Sequence, residues 1–414
     1  MVRRDSKGRE VPGFFIDRWV DAVRAALEGM KRQRPGQTES GAVAAGACGV
    51  VPASDAANPL SAIQGVELFT EGDVLYAAML ASIRNAQRVV RMESYLFASD
   101  EVGREFVAAL AERARAGVEV RLHLDAAGVF GKSSSFLAQL VRERCARVKW
   151  FHRWTWRRPM RYNRRNHRKL LVVDDRVAYV GGFNIHRESS RRVYGDGRWR
   201  DTHALVSGGL VLDAEKLFDD FWHGHRRWAP TQGGSVSLAS NHTRDCRHRI
   251  RCLYSEAFAA ARQHIYLTTP YFVPDLLMQQ RLIAAARRGV DVRLLVPSQS
   301  DVPLTRWAAR AFYAALIAAG VQVYEYLPRM LHAKTVAIDG QWAMLGTANF
   351  DYRSFFLNYE LVLSAREPEF CALLEGHFNA DLSESLAVTA GSWTRRHWPE
   401  KLLEFIGWTM RRWL

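Results

Sequence analysis

His167-Arg-Lys-Leu-Leu-Val-Val-Asp174 and His332-Ala-Lys-Thr-Val-Ala-Ile-Asp339 follow one pattern: histidine, lysine two positions later, and aspartate seven positions after the histidine. Each copy continues after six more residues with Gly-x-x-Asn, which gives Gly181 and Asn184 in the first copy and Gly346 and Asn349 in the second. A single copy would be a weak motif match, but an extension present in both copies argues against coincidence. Two identical sets of reactive residues predict one active site built from two halves.

The sequence around the motifs repeats as well. In the first half we expect a strand at 87–95, a helix at 100–116 and a strand at 117–125. In the second half we expect a strand at 264–271, a helix at 276–288 and a strand at 289–296. Short strands at 148–151 and 321–324 follow, and AGVEVRL in the first half matches RGVDVRL in the second. The alternation predicts an α/β fold in which each half is a mixed sheet flanked by helices.

Four regions follow from this repeat and from local composition. Residues 1–61 hold a predicted helix at 12–32 and a linker rich in Gly, Ala, Ser and Pro at 33–60. The two halves occupy 62–229 and 230–385, and residues 386–414 form a C-terminal amphipathic region that we expect to lie on a membrane surface.

Composition favours anionic partners. The formal net charge is +15, which suits nucleic acid, anionic lipid or phosphorylated small molecules, although a solvated basic surface would give the same excess. The five cysteines are scattered and form no CxxC, which argues against a disulfide framework and a structural zinc site and fits a reducing compartment. The sequence predicts neither a signal peptide nor an apolar run near the ~20 residues that span a bilayer, so we expect any membrane contact to be peripheral.

The motif residues suit chemistry on a phosphate ester. Residues two apart in a strand share a face, so His167 with Lys169, and His332 with Lys334, can point into one pocket. The lysines, with Asn184 and Asn349, would bind non-bridging oxygens and stabilise charge on phosphorus. One histidine would attack phosphorus, while the other protonates the leaving alcohol and then activates the acceptor. We expect no metal and no cofactor, because the lysines supply positive charge and no HExxH or carboxylate cluster accompanies the histidines.

Neighbouring residues would support these groups. Asp201 and Glu360 open apparent strands after their motifs and are candidates for fixing the tautomer of a histidine. Gly181 and Gly346 suit a close approach of backbone to ligand. A lone histidine on an apolar strand is usually a satisfied core residue, but a lysine on the same face in both copies favours a functional site.

These residues resemble the phospholipase D superfamily, whose duplicated motif is complete in both halves, and the resemblance covers about residues 62–385. It implies two α/β halves around a pseudo-two-fold axis with the active site at their interface. It also implies that His167 is the nucleophile, that His332 is the general acid and base, and that the lysines, Asp174 and Asp339 complete the catalytic set.

The finer resemblance is to bacterial cardiolipin synthases. It is carried by four stretches, 162–169, 179–185, 268–275 and 346–360. Arg353 and Ser354 match the second motif of that group, which adds them to Asn184 and Asn349 as substrate-binding residues. The resemblance implies transfer of a phosphatidyl group from one phosphatidylglycerol to another, with release of glycerol. The chain is more similar to the shorter, peripheral form of the group, which implies the cytoplasmic side of a bacterial cell membrane.

Two segments favour a lipid surface. Trp150 to Tyr162 interleaves aromatic and basic residues, although its tryptophans could also be buried against the domain. From Trp393 onward, apolar residues recur along one helical arc with arginines and Lys401 around it, as in an interfacial helix or in a helix docked on the catalytic body. The predicted arc comprises Trp398, Leu402, Phe405, Ile406, Met410 and Trp413.

Three other functions fit parts of the sequence. A nuclease of the same superfamily would explain the net charge and the aromatic-basic segment. A phospholipase would use the same pocket with water as the acceptor. A catalytically silent lipid-binding scaffold would have lost a motif histidine or lysine, and none is lost.

Overall fold

The computed structural model describes residues 65–128, 137–152, 156, 162–225, 234–241, 246–394 and 396–411. The helix expected at 12–32 and the linker at 33–60 lie outside these residues, as do Trp413 and most of the segment 153–161. The described residues form one compact unit.

The first half is built on a mixed sheet of seven strands with helices packed against it. The strands are β1 (Val66–Phe69), β2 (Val89–Ser94), β3 (Glu119–Asp125), β4 (Ala146–Phe151), β5 (Leu170–Val173), β6 (Val177–Gly181) and β7 (His203–Ser207). The helices are α1 (Gly72–Arg84), α2 (Glu101–Arg115), α3 (Ala138–Val141), α4 (Arg191–Tyr194) and α5 (Gly209–His223). The strand order is β1-β7-β6-β5-β2-β3-β4.

The second half is built on an eight-stranded sheet and a separate two-stranded one. Its strands are β8 (Val236–Ser240), β9 (His264–Thr268), β10 (Phe272–Val273), β11 (Asp291–Pro297), β12 (Gln322–Tyr326), β13 (Thr335–Ile338), β14 (Trp342–Gly346), β15 (Phe350–Asp351), β16 (Leu361–Ala365) and β17 (Ser385–Val388). Its helices are α6 (Arg249–Ala260), α7 (Leu276–Arg287), α8 (Pro303–Ala318), α9 (Tyr352–Phe356), α10 (Pro368–Ser383), α11 (Ala390–Thr394) and α12 (Trp398–Met410). The large sheet runs β17-β12-β11-β9-β13-β14-β16-β8, and β10 pairs with β15.

The two sheets have the same topology. In each, three parallel strands (β2, β3 and β4; β9, β11 and β12) meet an antiparallel motif strand, β5 or β13. Two further antiparallel strands and an edge strand complete each sheet, and β17 is an addition to the second. The α/β fold with two mixed-sheet halves, predicted from the repeat, is confirmed.

The sheets pack against each other through a shared apolar layer. Successive side chains of a strand point to opposite faces. Leu171 and Val173 therefore enter the core of the first half, while Leu170 and Val172 enter a cluster shared with residues of the second half such as Leu345 and Leu363. The motif strand is thus buried on both faces. This burial fixes the position of His167, which lies just before the strand, at the seam between the halves.

Asp174 and Asp339 lie at the far end of the motif strands, roughly 20 Å of extended chain away from the histidines. Asp174 accepts hydrogen bonds from the backbone N–H groups of Gln87, Arg88 and Val89, which lead into β2. Asp339 accepts hydrogen bonds from the backbone N–H groups of Arg262, Gln263 and His264, which lead into β9. Both have left-handed backbones, with φ of 51° and 56°. The resemblance grouped these aspartates with the catalytic residues, but in the structure they fasten the motif strand to its neighbour.

The C-terminal segment differs from the membrane-surface helix expected over 386–414. Residues 385–388 form β17, which pairs with β12, and Trp393 is buried in the core of the second half. Only α12 is a helix of some length, and it packs on α8 so closely that a Cβ on Gly407 would lie 2.5 Å from the backbone nitrogen of Ala308. Among the described residues, no helix combines the length and the apolar character needed to cross a bilayer.

Candidate active site

A cavity of about 400 Å³ lies at the seam between the two halves. The structure brings both motif histidines into this one cavity. The other residues of its wall include Tyr95, Arg165, Asn184, Trp199, Tyr271, Asp301, Asn349, Asp351, Arg353 and Asn358.

The two motif segments enter the seam in extended conformation just before β5 and β13, rather than within these strands. In the first, the backbone N–H of Asn166 donates to Asp125 Oδ2 over 2.7 Å, which holds the segment at its start. Arg168 points away from the cavity, where its Nε lies 2.9 Å from Glu93 Oε2. This alternation leaves His167 and Lys169 on the same face, as their spacing predicted.

Backbone hydrogen bonds join the halves beside each histidine. The N–H of His167 donates to the carbonyl of Tyr359 over 2.9 Å, and the N–H of Tyr359 donates to the carbonyl of Arg165 over 2.8 Å. The second motif repeats this pairing: His332 donates to Arg200 over 2.7 Å, and Arg200 donates to Met330 over 2.8 Å. Glu360 follows Tyr359 and Asp201 follows Arg200, so each carboxylate is carried to the histidine of the other half.

Glu360 is the partner of His167. Its Oε2 lies 2.9 Å from His167 Nδ1, and the carboxylate also accepts from Thr347 Oγ1 over 2.6 Å and Ser354 Oγ over 2.9 Å. Burial acts to raise the pKa of Glu360, but His167 and the other donors outweigh it and hold the pKa below its usual value. The group is therefore a buried, ionised and fully hydrogen-bonded carboxylate.

Asp201 is the partner of His332, with Oδ2 2.5 Å from His332 Nδ1. Its Oδ1 accepts from the N–H of Thr202 over 2.8 Å, and Lys334 Nζ lies 3.8 Å from Oδ2. In both motifs a carboxylate contacts Nδ1, and in the second Lys334 Nζ also lies 2.8 Å from this nitrogen, so Nε2 of each imidazole is the nitrogen left for chemistry. Sequence reasoning found both carboxylates, and the structure adds that each one serves the opposite half.

Burial changes the protonation of the motif residues. Burial, followed by repulsion from Lys334, lowers the pKa of Lys169 to about 7. Burial lowers the pKa of Lys334 to about 8 against the attraction of Asp201 and Glu360. Burial and the charge of Lys334 lower the pKa of His332 to about 4, and burial also lowers that of His167, although Glu360 opposes it. The imidazoles that line the cavity are thus neutral, and the buried ammonium groups beside them are poorly solvated, so an anion nearby would stabilise them.

The motif glycines serve strand packing rather than an approach to ligand. A Cβ on Gly181 would lie 2.4 Å from His203 Cα, and a Cβ on Gly346 would lie 2.4 Å from the carbonyl oxygen of Leu361. Gly182, which sequence reasoning did not single out, would place a Cβ 2.0 Å from Asp201 Oδ1. These glycines let the neighbouring strand approach, and this strand carries the carboxylate.

Three of the four predicted substrate-binding residues line the cavity, and the fourth does not. Asn184 lines the cavity, and its Oδ1 accepts from the N–H of Leu96 over 3.2 Å, so its amide NH2 remains as a donor. Asn349 lines the cavity with an Oδ1 that has no hydrogen-bond partner among the described residues. Arg353 also lines it and donates to Asn163 Oδ1 over 2.9 Å. Ser354 is fully buried and holds Glu360 instead of facing the cavity.

Aromatic side chains around the histidines are the main feature that sequence reasoning did not assign. The ring of Tyr95 lies 5.0 Å from that of His167, and the ring of Trp199 lies 5.1 Å from that of His332. Tyr271 stands 6.4 Å from His332 on another side. No spacing rule joins these residues to the motifs, because they come from loops that the fold brings to the seam. Within the described residues, no group of three or more His, Cys, Asp or Glu side chains could hold a metal ion.

Comparison with known proteins gives one consistent result. A family profile described as "Cardiolipin synthase, PLD-like domain" matches residues 79–202 and 254–382. A probable cardiolipin synthase of Bacillus subtilis is 32% identical over 338 residues, which are 77% of this chain and 66% of that protein. A cardiolipin synthase of Clostridium perfringens is 31% identical over 350 residues, 80% of this chain and 73% of that protein. The chain therefore spans about two thirds to three quarters of the length of these relatives.

Among solved structures, the phosphatidylserine synthase of Haemophilus influenzae has a similar fold. The TM-score is 0.65 at 13% sequence identity, over 85% of this chain and 96% of that one. This likeness concerns the fold of the two packed halves alone. The family match on both halves and the identity to the two relatives show that the chain belongs to the cardiolipin synthase family of phospholipase D-like proteins.

Proposed function

We propose that this protein is a phosphatidyltransferase that makes cardiolipin from phosphatidylglycerol through a phosphohistidine and releases glycerol. The observation that carries the proposal is the pair of buried imidazoles in one cavity, each with a carboxylate on Nδ1 and a buried lysine beside it. Membership of the cardiolipin synthase family gives the substrate class, since the relatives are named for that product.

In this mechanism His167 Nε2 attacks the phosphorus of the first lipid, and His332 gives a proton to the glycerol oxygen that leaves. The second lipid then delivers its hydroxyl proton to His332 as its oxygen displaces His167 from phosphorus. Lys169, Lys334 and the amide of Asn184 stabilise the charge that develops on the non-bridging oxygens. A bound phosphodiester offsets the lysine charges, and this raises the pKa of His332 from about 4.

The first test uses purified protein and phosphatidylglycerol vesicles, with products identified by mass spectrometry. We expect cardiolipin and an equal amount of glycerol. Phosphatidic acid as the main product would make the protein a phospholipase. Cleavage of single-stranded DNA without lipid turnover would make it a nuclease, and in both cases the transferase proposal would be wrong.

The roles of the two histidines can be separated with bis(4-nitrophenyl) phosphate, because nitrophenolate leaves without a proton. We expect His332→Ala to release one nitrophenolate per enzyme in a burst and then stall as a covalent adduct that intact-mass measurement detects. His167→Ala should give neither burst nor adduct. A burst from His167→Ala and none from His332→Ala would exchange the two roles.

Lys169→Met should lower turnover by about 10²–10³ while making the fold more stable, because it removes a buried cation. The pKa of Lys169 falls from 10.5 to about 7 on folding, so between these values the unfolded chain binds more protons than the folded one. The wild-type protein should therefore gain stability relative to Lys169→Met as the pH rises from 7 towards 10.5. Thermal unfolding across this range measures the effect, and a constant difference would contradict the assignment of a depressed lysine pKa.

We also propose that α12 holds the protein on anionic lipid at the cytoplasmic face of the membrane. One side of the helix is docked: Glu404 is buried against Arg310 and Arg396, and Gly407 touches α8. The opposite side leaves large apolar side chains in water. These are Trp398 (74% exposed), Leu402 (50%), Phe405 (61%) and Trp408 (42%). Trp408 was not part of the arc expected from the sequence, and Ile406 and Met410 are half-buried.

Charge and position favour a lipid surface as the occupant of this face. Lys401 is exposed beside it, Arg411 stacks on the ring of Trp408 at 3.9 Å, and the whole chain carries +15. The helix runs antiparallel to α8, with Gly407 against Ala308 and the ring of Trp393 5.1 Å from that of Tyr313. Its end at Trp408 therefore lies towards the start of α8, where Asp301, Val302 and Thr305 line the cavity. A membrane bound here would be close to the active-site opening.

The double variant Trp398→Ser/Phe405→Ser should lose flotation with phosphatidylglycerol vesicles and keep its turnover of bis(4-nitrophenyl) phosphate. A matched control is Val74→Ser/Leu212→Ser, which removes two apolar side chains of similar exposure, both 60%, from α1 and α5. Equal flotation of the two double variants would remove α12 from the membrane-binding surface.

A further inference from the structure

The two sides of the cavity differ although the fold that holds them is duplicated. Arg165 and Arg353 line the cavity together with His167, whereas Trp199, Tyr271 and Asp301 surround His332. Strand registers place Tyr271 where the first half has Leu96, since Val90 pairs with Val173 as Ile265 pairs with Ile338. The catalytic groups are thus paired, but their surroundings differ: both arginines of the cavity lie on the side of His167, together with Tyr95, while Trp199, Tyr271 and Asp301 lie on the side of His332.

Asp301 is held in a defined position at the rim of the cavity. Its carboxylate lies just before α8, with both oxygens 2.8 Å from the hydroxyl of Tyr271. The hydroxyl has one proton to donate, so most of the acceptor capacity of the carboxylate stays free for a ligand. The ring of Tyr271 also lies 6.4 Å from that of His332, which places the carboxylate on the side of the imidazole that handles protons.

A second acceptor faces the same cavity. Asn349 is 4% exposed, and its Oδ1 has no hydrogen-bond partner within the described part of the chain. In the other half, the backbone N–H of Leu96 occupies the corresponding oxygen of Asn184. A buried acceptor without a donor is costly, so this oxygen favours a ligand that brings an O–H or N–H group. A phosphodiester monoanion has no such donor.

The chemistry requires an alcohol on this side. When the phosphohistidine is consumed, the acceptor oxygen forms a bond to phosphorus, the bond between phosphorus and His167 Nε2 breaks, and the hydroxyl proton moves to His332. The acceptor carbon chain must therefore lie against His332, where Trp199, Tyr271 and Asp301 surround it. The carboxylate and the aromatic rings on this side suit hydroxyl and ammonium groups.

We propose that Asp301, held by Tyr271, and Asn349 Oδ1 form a headgroup subsite that selects acceptor alcohols with a second hydrogen-bond donor next to the reacting hydroxyl. The donor is the neighbouring hydroxyl of a glycerol head or the ammonium group of free ethanolamine. The inference rests on the proposed phosphatidyl transfer and specifies which alcohols receive the phosphatidyl group.

The test offers soluble acceptors in competition. Phosphatidylglycerol vesicles are supplied with equal concentrations of 1-propanol, ethanediol and ethanolamine, and mass spectrometry gives the ratio of the transfer products. We expect the wild-type protein to prefer ethanediol to 1-propanol by about ten-fold or more, and Asp301→Ala to lower that preference about ten-fold. Asp301→Asn keeps a hydrogen-bond acceptor but removes the charge. If the subsite binds an ammonium group through this charge, the share of the ethanolamine product should fall more than that of the ethanediol product.

Controls keep the result interpretable. Asp291→Asn alters a carboxylate of the same half that is paired with Arg293 in β11, and it should leave the product ratio unchanged. Tyr271→Phe removes the hydroxyl that holds Asp301, so it should lower the preference in the same direction if Asp301→Ala does not fold. An unchanged ratio in Asp301→Ala, with continued consumption of phosphatidylglycerol, would overturn the subsite. A wild-type protein that consumes no phosphatidylglycerol would instead overturn the proposed transfer.

Discussion

The backbone hydrogen bonds across the seam are the constraint on which the site depends. Tyr359 pairs with the segment that leads into His167, and Arg200 pairs with the segment that leads into His332. Each pairing fixes the following carboxylate, Glu360 or Asp201, against an imidazole of the other half. The shared apolar layer below the seam holds the two sheets at the separation that these bonds require. Without that layer the two histidines would have neither their tautomer nor a common cavity.

The same arrangement accepts an electrostatic cost. Two lysines, 2% and 3% exposed, lie close enough for the charge of Lys334 to lower the pKa of Lys169. The negative charges of Asp201 and Glu360 act to raise both lysine pKa values, yet these values stay well below 10.5. The site is thus arranged for a negative charge that enters with the substrate, as expected where binding energy is used to stabilise a transition state. Stability that a hydrophobic residue would provide at these positions is given up for that purpose.

Much of this architecture could be predicted from the sequence, because the repeat carries it. The strands around the first motif, expected at 87–95 and 117–125, are observed as β2 and β3 with ends shifted by at most two residues. Asp201 and Glu360 were candidates because they open apparent strands after the motifs, and the structure places each against a histidine. The repeat could not show that each serves the opposite half, since this follows from packing and not from order along the chain. The pattern also placed Asp174 beside the catalytic residues, whereas the hydrogen bonds that the structure gives it go to backbone N–H groups at the far end of the strand.

The crossed pairing of histidine and carboxylate has a consequence for how such a molecule could arise and be divided. Neither half contains a complete reactive unit, since each keeps a histidine and lends its acid to the other. A symmetric dimer of single copies would satisfy the same exchange, so gene fusion would preserve the site without rebuilding it. If the chain were cut between β7 and β8, the separate fragments would be inert, and turnover would return only as they associate, with a second-order dependence on their concentrations.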